Sequence, residues 1–96
     1  MDAGIHEALF CFVKSGQDSE RYKGKIVLSE NKQLMNLELS PEYFIQGEKS
    51  DAGYFGENKR LGRNPTASVN WNTISEDCIA GTWLEDNEDW LFTAQL

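Results

Sequence analysis

The sequence predicts a mainly β protein: a single small antiparallel β-barrel or strongly curved meander sheet, with room for one short helix. Three observations carry that expectation. Apolar residues come in short segments, each punctuated by Gly, Asn, Asp or Ser, which is the spacing of strands and turns. The C-terminal third divides into "ASVNWNTI" (67–74), "CIAGTWLE" (78–85) and "WLFTAQL" (90–96), three consecutive antiparallel strands. Finally, the chain has 96 residues, 40% of them apolar and 11% aromatic, enough for one modest core and too few for two. Residues 1–96 are therefore read as one domain.

Taken in order, "ALFCFV" (8–13) suits a strand through its aromatic and β-branched content. A helix also fits: Ile5, Ala8, Leu9, Phe12 and Val13 share a helical face, with Asp2 as N-cap and Gly16 as stop. "SGQDSE" (15–20) is a loop by composition. In "RYKGKIVL" (21–28), Tyr22, Gly24, Ile26 and Leu28 alternate with Arg21, Lys23 and Lys25, as a half-buried strand requires. "SENKQ" turns the chain, and "LMNLEL" (34–39) returns it with Met35, Leu37 and Leu39 on one side. "SPEYFIQG" (40–47) fits two structures. Ser40, Pro41 and Gly47 would cap a short helix over 41–46, whereas Tyr43 and Ile45 alternate with Phe44 and Gln46 as in a strand. Residues 48–65 are the least regular, with turns around one short strand at Tyr54-Phe55.

The last hairpin allows a register to be derived. A four-residue loop, Asp86-Asn87-Glu88-Asp89, sets Glu85 opposite Trp90, Trp83 opposite Phe92, Gly81 opposite Ala94 and Ile79 opposite Leu96. Opposed residues in an antiparallel pair project to one side, so the large aromatics gather on one face. A turn at Ser75-Glu76-Asp77 then places Trp71 opposite Gly81 and Val69 opposite Trp83. Gly81 is thus explained by packing, as a strand glycine covered by a cross-strand indole.

Gly81-Thr82-Trp83 also resembles the Gly-x-Trp of lipocalins and avidins, up-and-down barrels that hold small molecules. In those families the motif lies on the first strand, and here it lies on the penultimate one. The resemblance covers these three residues and implies a similar small barrel; no binding residue is carried over from it.

Charge narrows the partners. The formal net charge is −7; residues 1–63 carry ten acids and nine bases, residues 64–96 six acids and no Lys or Arg. Such a chain repels phosphate backbones, so no nucleic acid is expected, while a basic protein partner would be steered toward it. Glu85, Asp86, Glu88 and Asp89 are the candidate acidic surface. They are too closely spaced, and lack the central glycine, for an EF-hand calcium loop. No apolar run approaches the roughly 18 residues of a membrane helix. The opening Met-Asp-Ala-Gly has no basic region before an apolar stretch, so a cytoplasmic protein without membrane association is expected.

Other candidate sites follow from residue type. Trp71, Trp83, Trp90, Tyr22 and Phe92 would either fill the core or line a cavity for a small apolar ligand. Lys59, Arg60 and Arg63 are concentrated in a glycine-bearing stretch that could hold an anion. Cys11 and Cys78 are expected as buried thiols. With His6 they are too few for a zinc site, and no metal or cofactor is expected. No base–nucleophile pair stands out, so no catalytic residue is assigned. The expectation is a non-enzymatic binding or interaction module meeting a basic protein through its acidic C-terminal third. A small-molecule carrier is the alternative, and an enzyme acting on an anion a third reading. A sheet edge left open would also allow a homodimer.

Overall fold

The computed structural model describes residues 1–58 and 64–96. These form eight strands: β1 Gly4–Val13, β2 Glu20–Leu28, β3 Leu34–Ser40, β4 Tyr43–Ser50, β5 Gly53–Asn58, β6 Ala67–Ser75, β7 Cys78–Glu85 and β8 Glu88–Gln95. Each pairs antiparallel with the next, and β8 returns to β1, closing the sheet into a barrel. Leu9 to Val13 pair with Gln95 to Leu91 along the closing seam, so this stretch offers no unpaired edge. Closure selects the barrel over the open curved sheet.

Both segments that also fitted a helix are strands, and the described residues contain no helix. In β1 the core takes Ala8, Phe10 and Phe12. Ile5, Leu9 and Val13, which completed the helical stripe, face outward and are 70%, 43% and 48% exposed. Residues 43–47 likewise bury Ile45 and Gly47 in alternation. The segment read as least regular is a hairpin in its first half, with Ser50 opposite Gly53 and Gly47 opposite Gly56.

The β7–β8 register also differs from expectation. The loop has two residues, Asp86 and Asn87, with φ of 51° and 64°, the left-handed pair of a type I′ hairpin turn. Glu85 therefore faces Glu88, Trp83 faces Trp90, Gly81 faces Phe92 and Ile79 faces Ala94. A two-residue slip conserves the side on which every residue projects, so the buried face is unchanged while each cross-strand partner moves. On β6 and β7, Trp71 faces Gly81 and Val69 faces Trp83, as derived.

Gly81 has a different cause from the expected one. A Cβ there would stand 1.8 Å from the Asn70 carbonyl oxygen and 2.7 Å from the Trp71 Cα; the backbone of β6, not an indole, excludes a side chain. The glycine that makes room for an indole is Gly47, where a Cβ would lie 2.2 Å from Cη2 of Trp71. The Trp71 ring is buried, stacked on Tyr54 with centroids 5.6 Å apart, and donates from Nε1 to the Met35 sulfur at 3.0 Å. Tyr54 in turn donates its hydroxyl to the Lys32 carbonyl at 2.5 Å. Together these rings plug the end of the barrel that carries the β2–β3, β4–β5 and β6–β7 turns, as small eight-strand barrels commonly do.

Candidate functional site

At the opposite end, which carries the β1–β2, β3–β4 and β7–β8 connections, the described residues leave an opening. There the inward positions of six strands line a cavity of about 330 Å³. Phe12 and Trp83 form its floor, and both are buried. Their rings meet edge-on at 5.0 Å, and Phe92 beneath them packs edge-on against Trp83 at 5.4 Å. Tyr22, Leu39, Tyr43 and Trp90 make the walls, and Glu20, Glu85, Asp86 and Glu88 the rim.

Strand pairing explains why this end stays wide. The β2–β3 ladder runs only from Lys25 opposite Glu38 to Leu28 opposite Met35, so Glu20 to Gly24 pair with β1 alone. The β3–β4 register shifts between Glu38 and Ser40, a bulge at the rim of the kind that bends a strand away. Tyr22, in phase with Ile26 and Leu28, is thereby an inward residue that is 45% exposed.

Glu85 is the best-anchored acid. Its Oε1 accepts from the Tyr43 hydroxyl and, at 3.0 Å, from Nε1 of Trp83, while Tyr43 stacks on the Trp83 ring at 6.3 Å. One carboxylate thus orients two wall aromatics. Tyr22 registers the electrostatics: partial loss of water raises its pKa above the usual 10.0, and the nearby Glu20 and Glu85 carboxylates raise it further, Glu20 also accepting its hydrogen bond. Among the described residues, a basic group at the rim is Lys14, whose Nζ lies 5.6 Å from the Trp90 ring centroid and 3.4 Å from Oε2 of Glu88.

The residues singled out from sequence are distributed as follows. Tyr22, Trp83 and Trp90 line the mouth, Phe92 lies below its floor, and Trp71 belongs to the plug at the far end. Glu85, Asp86 and Glu88 stand on the same rim, and Asp89 is an exposed residue that does not line it. Lys59, Arg60 and Arg63 lie outside the described residues. Two groups that looked like rival sites in the sequence, the aromatics and the hairpin acids, therefore meet at one place.

Sequence reasoning missed Phe12, Tyr43, Glu20 and the inward role of Glu85. Parity holds the signal: Glu85 is in phase with Ile79 and Trp83, Phe12 with Ala8 and Phe10, and Tyr43 with Ile45. Asn58 was also missed. It is buried, its Oδ1 accepts from the backbone N–H of Thr66 and Ala67, and its Nδ2 donates to the Thr66 hydroxyl.

The thiols are not buried as expected. Cys11 and Cys78 are free, half-buried and outward-facing. With β8 between their strands they are separated by about two strand spacings, roughly 9–10 Å, beyond disulfide reach. His6 is at the plugged half, donating from Nε2 to the Asp2 carbonyl at 2.7 Å, far along β1 from the mouth. Among the described residues, no three His, Cys, Asp or Glu side chains converge as metal ligands. The described residues hold no helix long and apolar enough to cross a membrane. A broader depression of about 810 Å³ beside β1, β2 and β3 is lined by acids and lysines together and by no aromatic ring, which makes it the weaker candidate. No family model matches this chain, and no curated protein or solved structure matches it.

Proposed function

We propose that this protein is a non-enzymatic binding module whose site is the acid-rimmed aromatic mouth. One observation carries the reading: five aromatic side chains and four carboxylates from separate strands converge on a single open cavity while the other end of the barrel is plugged. Its volume falls at the lower end of the range typical of small-molecule sites. An apolar floor with a few fixed polar groups is also their usual chemistry. The likeness to lipocalins and avidins supports the reading through architecture alone, an up-and-down barrel with an accessible interior.

Three tryptophans make the test internal. In a fragment screen followed by NMR, ligands should shift the indole N–H signals of Trp83 and Trp90 and leave that of Trp71 in place. Shifts scattered over the outer strand faces, with Trp83 and Trp90 unmoved, would reject the mouth as the site. A second reading, a basic protein partner docking on the same rim, is favoured by the exposure of Asp86, Glu88 and Asp89 at the hairpin tip. It predicts binding that weakens steeply with salt and is lost when those acids are neutralised.

A further inference from the structure

We infer that the occupant of the mouth is a small organic cation with an alkylated ammonium head, which competes with the Lys14 side chain for Trp90 and Glu88. This rests on the mouth being the binding site and goes on to name its ligand class.

Charge favours a cation. Among the described residues, every ionisable side chain lining the cavity other than its tyrosines is an acid: Glu20, Glu85, Asp86 and Glu88. A low-dielectric aromatic wall does little to screen them, so the cavity concentrates cations. An anionic ligand would meet four carboxylates and, among the described residues, no lining base to pair with.

The aromatic lining favours an alkylated cation. Tyr22, Tyr43, Trp83 and Trp90 offer rings, and ring faces attract cations, most strongly for indole. A bare metal ion is poorly served, because no three carboxylates among the described residues converge and hard cations need several oxygen ligands. A primary ammonium is compact and strongly hydrated, and an aromatic cavity replaces that water badly. An alkylated ammonium combines a diffuse charge with apolar surface, which suits aromatic walls below an acid rim.

The fold already shows this recognition. Lys14 places its Nζ over Trp90 at 5.6 Å and against Glu88 at 3.4 Å. This is a cation held by one ring and one carboxylate at the cavity edge. A ligand head taking the same two partners must displace it. Removing the Lys14 charge therefore strengthens cation binding, although the same change would reduce the stability of the rim contact. Exposed cation–π contacts are worth about a two- to fivefold change in affinity, and the freed Glu88 adds to the gain.

The experiment is a titration at constant ionic strength with choline as probe and 3,3-dimethylbutan-1-ol as its uncharged isostere, read on the three indole N–H signals. The native chain and Lys14→Met are compared. The expected result is that choline shifts Trp83 and Trp90, the isostere binds at least about tenfold more weakly, and Lys14→Met tightens choline by about two- to fivefold. Equal binding of choline and isostere, on the same indoles, overturns the cation assignment and leaves the mouth as the site. Choline binding unchanged or weakened in Lys14→Met overturns the competition. Failure of both probes to move Trp83 and Trp90 overturns the ligand assignment; together with a negative fragment screen it removes the mouth as well. Tight binding of a trimethyllysine peptide where choline fails would assign the head to a modified protein tail and overturn the free-ligand form.

Discussion

Replacing Gly47 by alanine tests whether Trp71 is a fixed plug. The added methyl would stand 2.2 Å from Cη2 and 2.6 Å from Cζ2 of the indole. To regain an ordinary 3.4 Å contact the ring must retreat by about 1.2 Å, and close-packed interiors have no such slack. It cannot tilt without disturbing the stack on Tyr54 and the bond from Nε1 to the Met35 sulfur. Overpacking of this kind costs about 1–3 kcal/mol, and loss of the buried indole bond adds about 1 kcal/mol. The reduced freedom of the unfolded chain returns about 0.4–1 kcal/mol. The net expectation is a loss of about 2–3 kcal/mol, or about 10–20 °C in Tm for a domain of this size. Urea unfolding of Gly47→Ala, Trp71→Phe and the double variant gives the coupling. The shorter ring vacates the contested space, so the double variant should be more stable than the sum of the two single losses by at least about 1 kcal/mol. Additive losses, or a Gly47→Ala variant within about 0.5 kcal/mol of native, would refute the placement of the indole over Gly47.

Three further outcomes follow from the same geometry. Asn87→Val forces a β-branched residue to φ of 64° and should cost about 1–2 kcal/mol in urea unfolding, whereas Asn87→Gly should cost nothing. Asn58→Ala strips partners from two backbone N–H groups and one hydroxyl; a loss of about 2–3 kcal/mol is expected, against under about 1 kcal/mol for Thr66→Val. Tyr54 is raised by burial, and Tyr22 by loss of water together with Glu20 and Glu85. Raised phenols stabilise the fold fully below the unfolded value of 10.0 and lose that contribution as pH climbs through their higher folded values. Stability should therefore fall above about pH 10, less steeply in the Tyr22→Phe/Tyr54→Phe chain, and absorbance titration of the phenols should show the delayed ionisation directly.

What could be read from sequence followed the period-2 pattern, and what could not depended on contacts beyond it. The inward faces of β2, β3, β6 and β7 were legible because Ile26 and Leu28, Met35 and Leu37, Val69 and Trp71, and Ile79 and Trp83 recur at even spacing along their strands. In β1 the outward positions are Ile5, Leu9, Cys11 and Val13, so alternation is blurred and a helical stripe fits equally well. The β7–β8 slip arose because Asp-Asn-Glu-Asp looks like a uniform polar loop, while the turn is selected by left-handed backbone at Asp86 and Asn87 alone. The site was half visible. The tryptophans and the hairpin acids were identified separately, but their convergence depends on Tyr43 and Phe12, from strands remote in sequence. Lys14 belonged to no motif, since its partners Trp90 and Glu88 are brought to it only by the closing β1–β8 seam.

The most direct test of the acid-rimmed mouth needs no ligand. Trp90 is the partly exposed indole, Trp71 and Trp83 being buried, so collisional quenching reports on its surroundings. Caesium and iodide quenching would be compared in the native chain, in Trp90→Phe and in a Glu20→Gln/Glu88→Gln variant, each normalised to neutral acrylamide. Caesium should outperform iodide on native protein, the preference should shrink when the two acids are neutralised, and it should vanish with Trp90. Iodide quenching equal to or stronger than caesium, or a preference that survives Trp90→Phe, would contradict an acid-rimmed mouth.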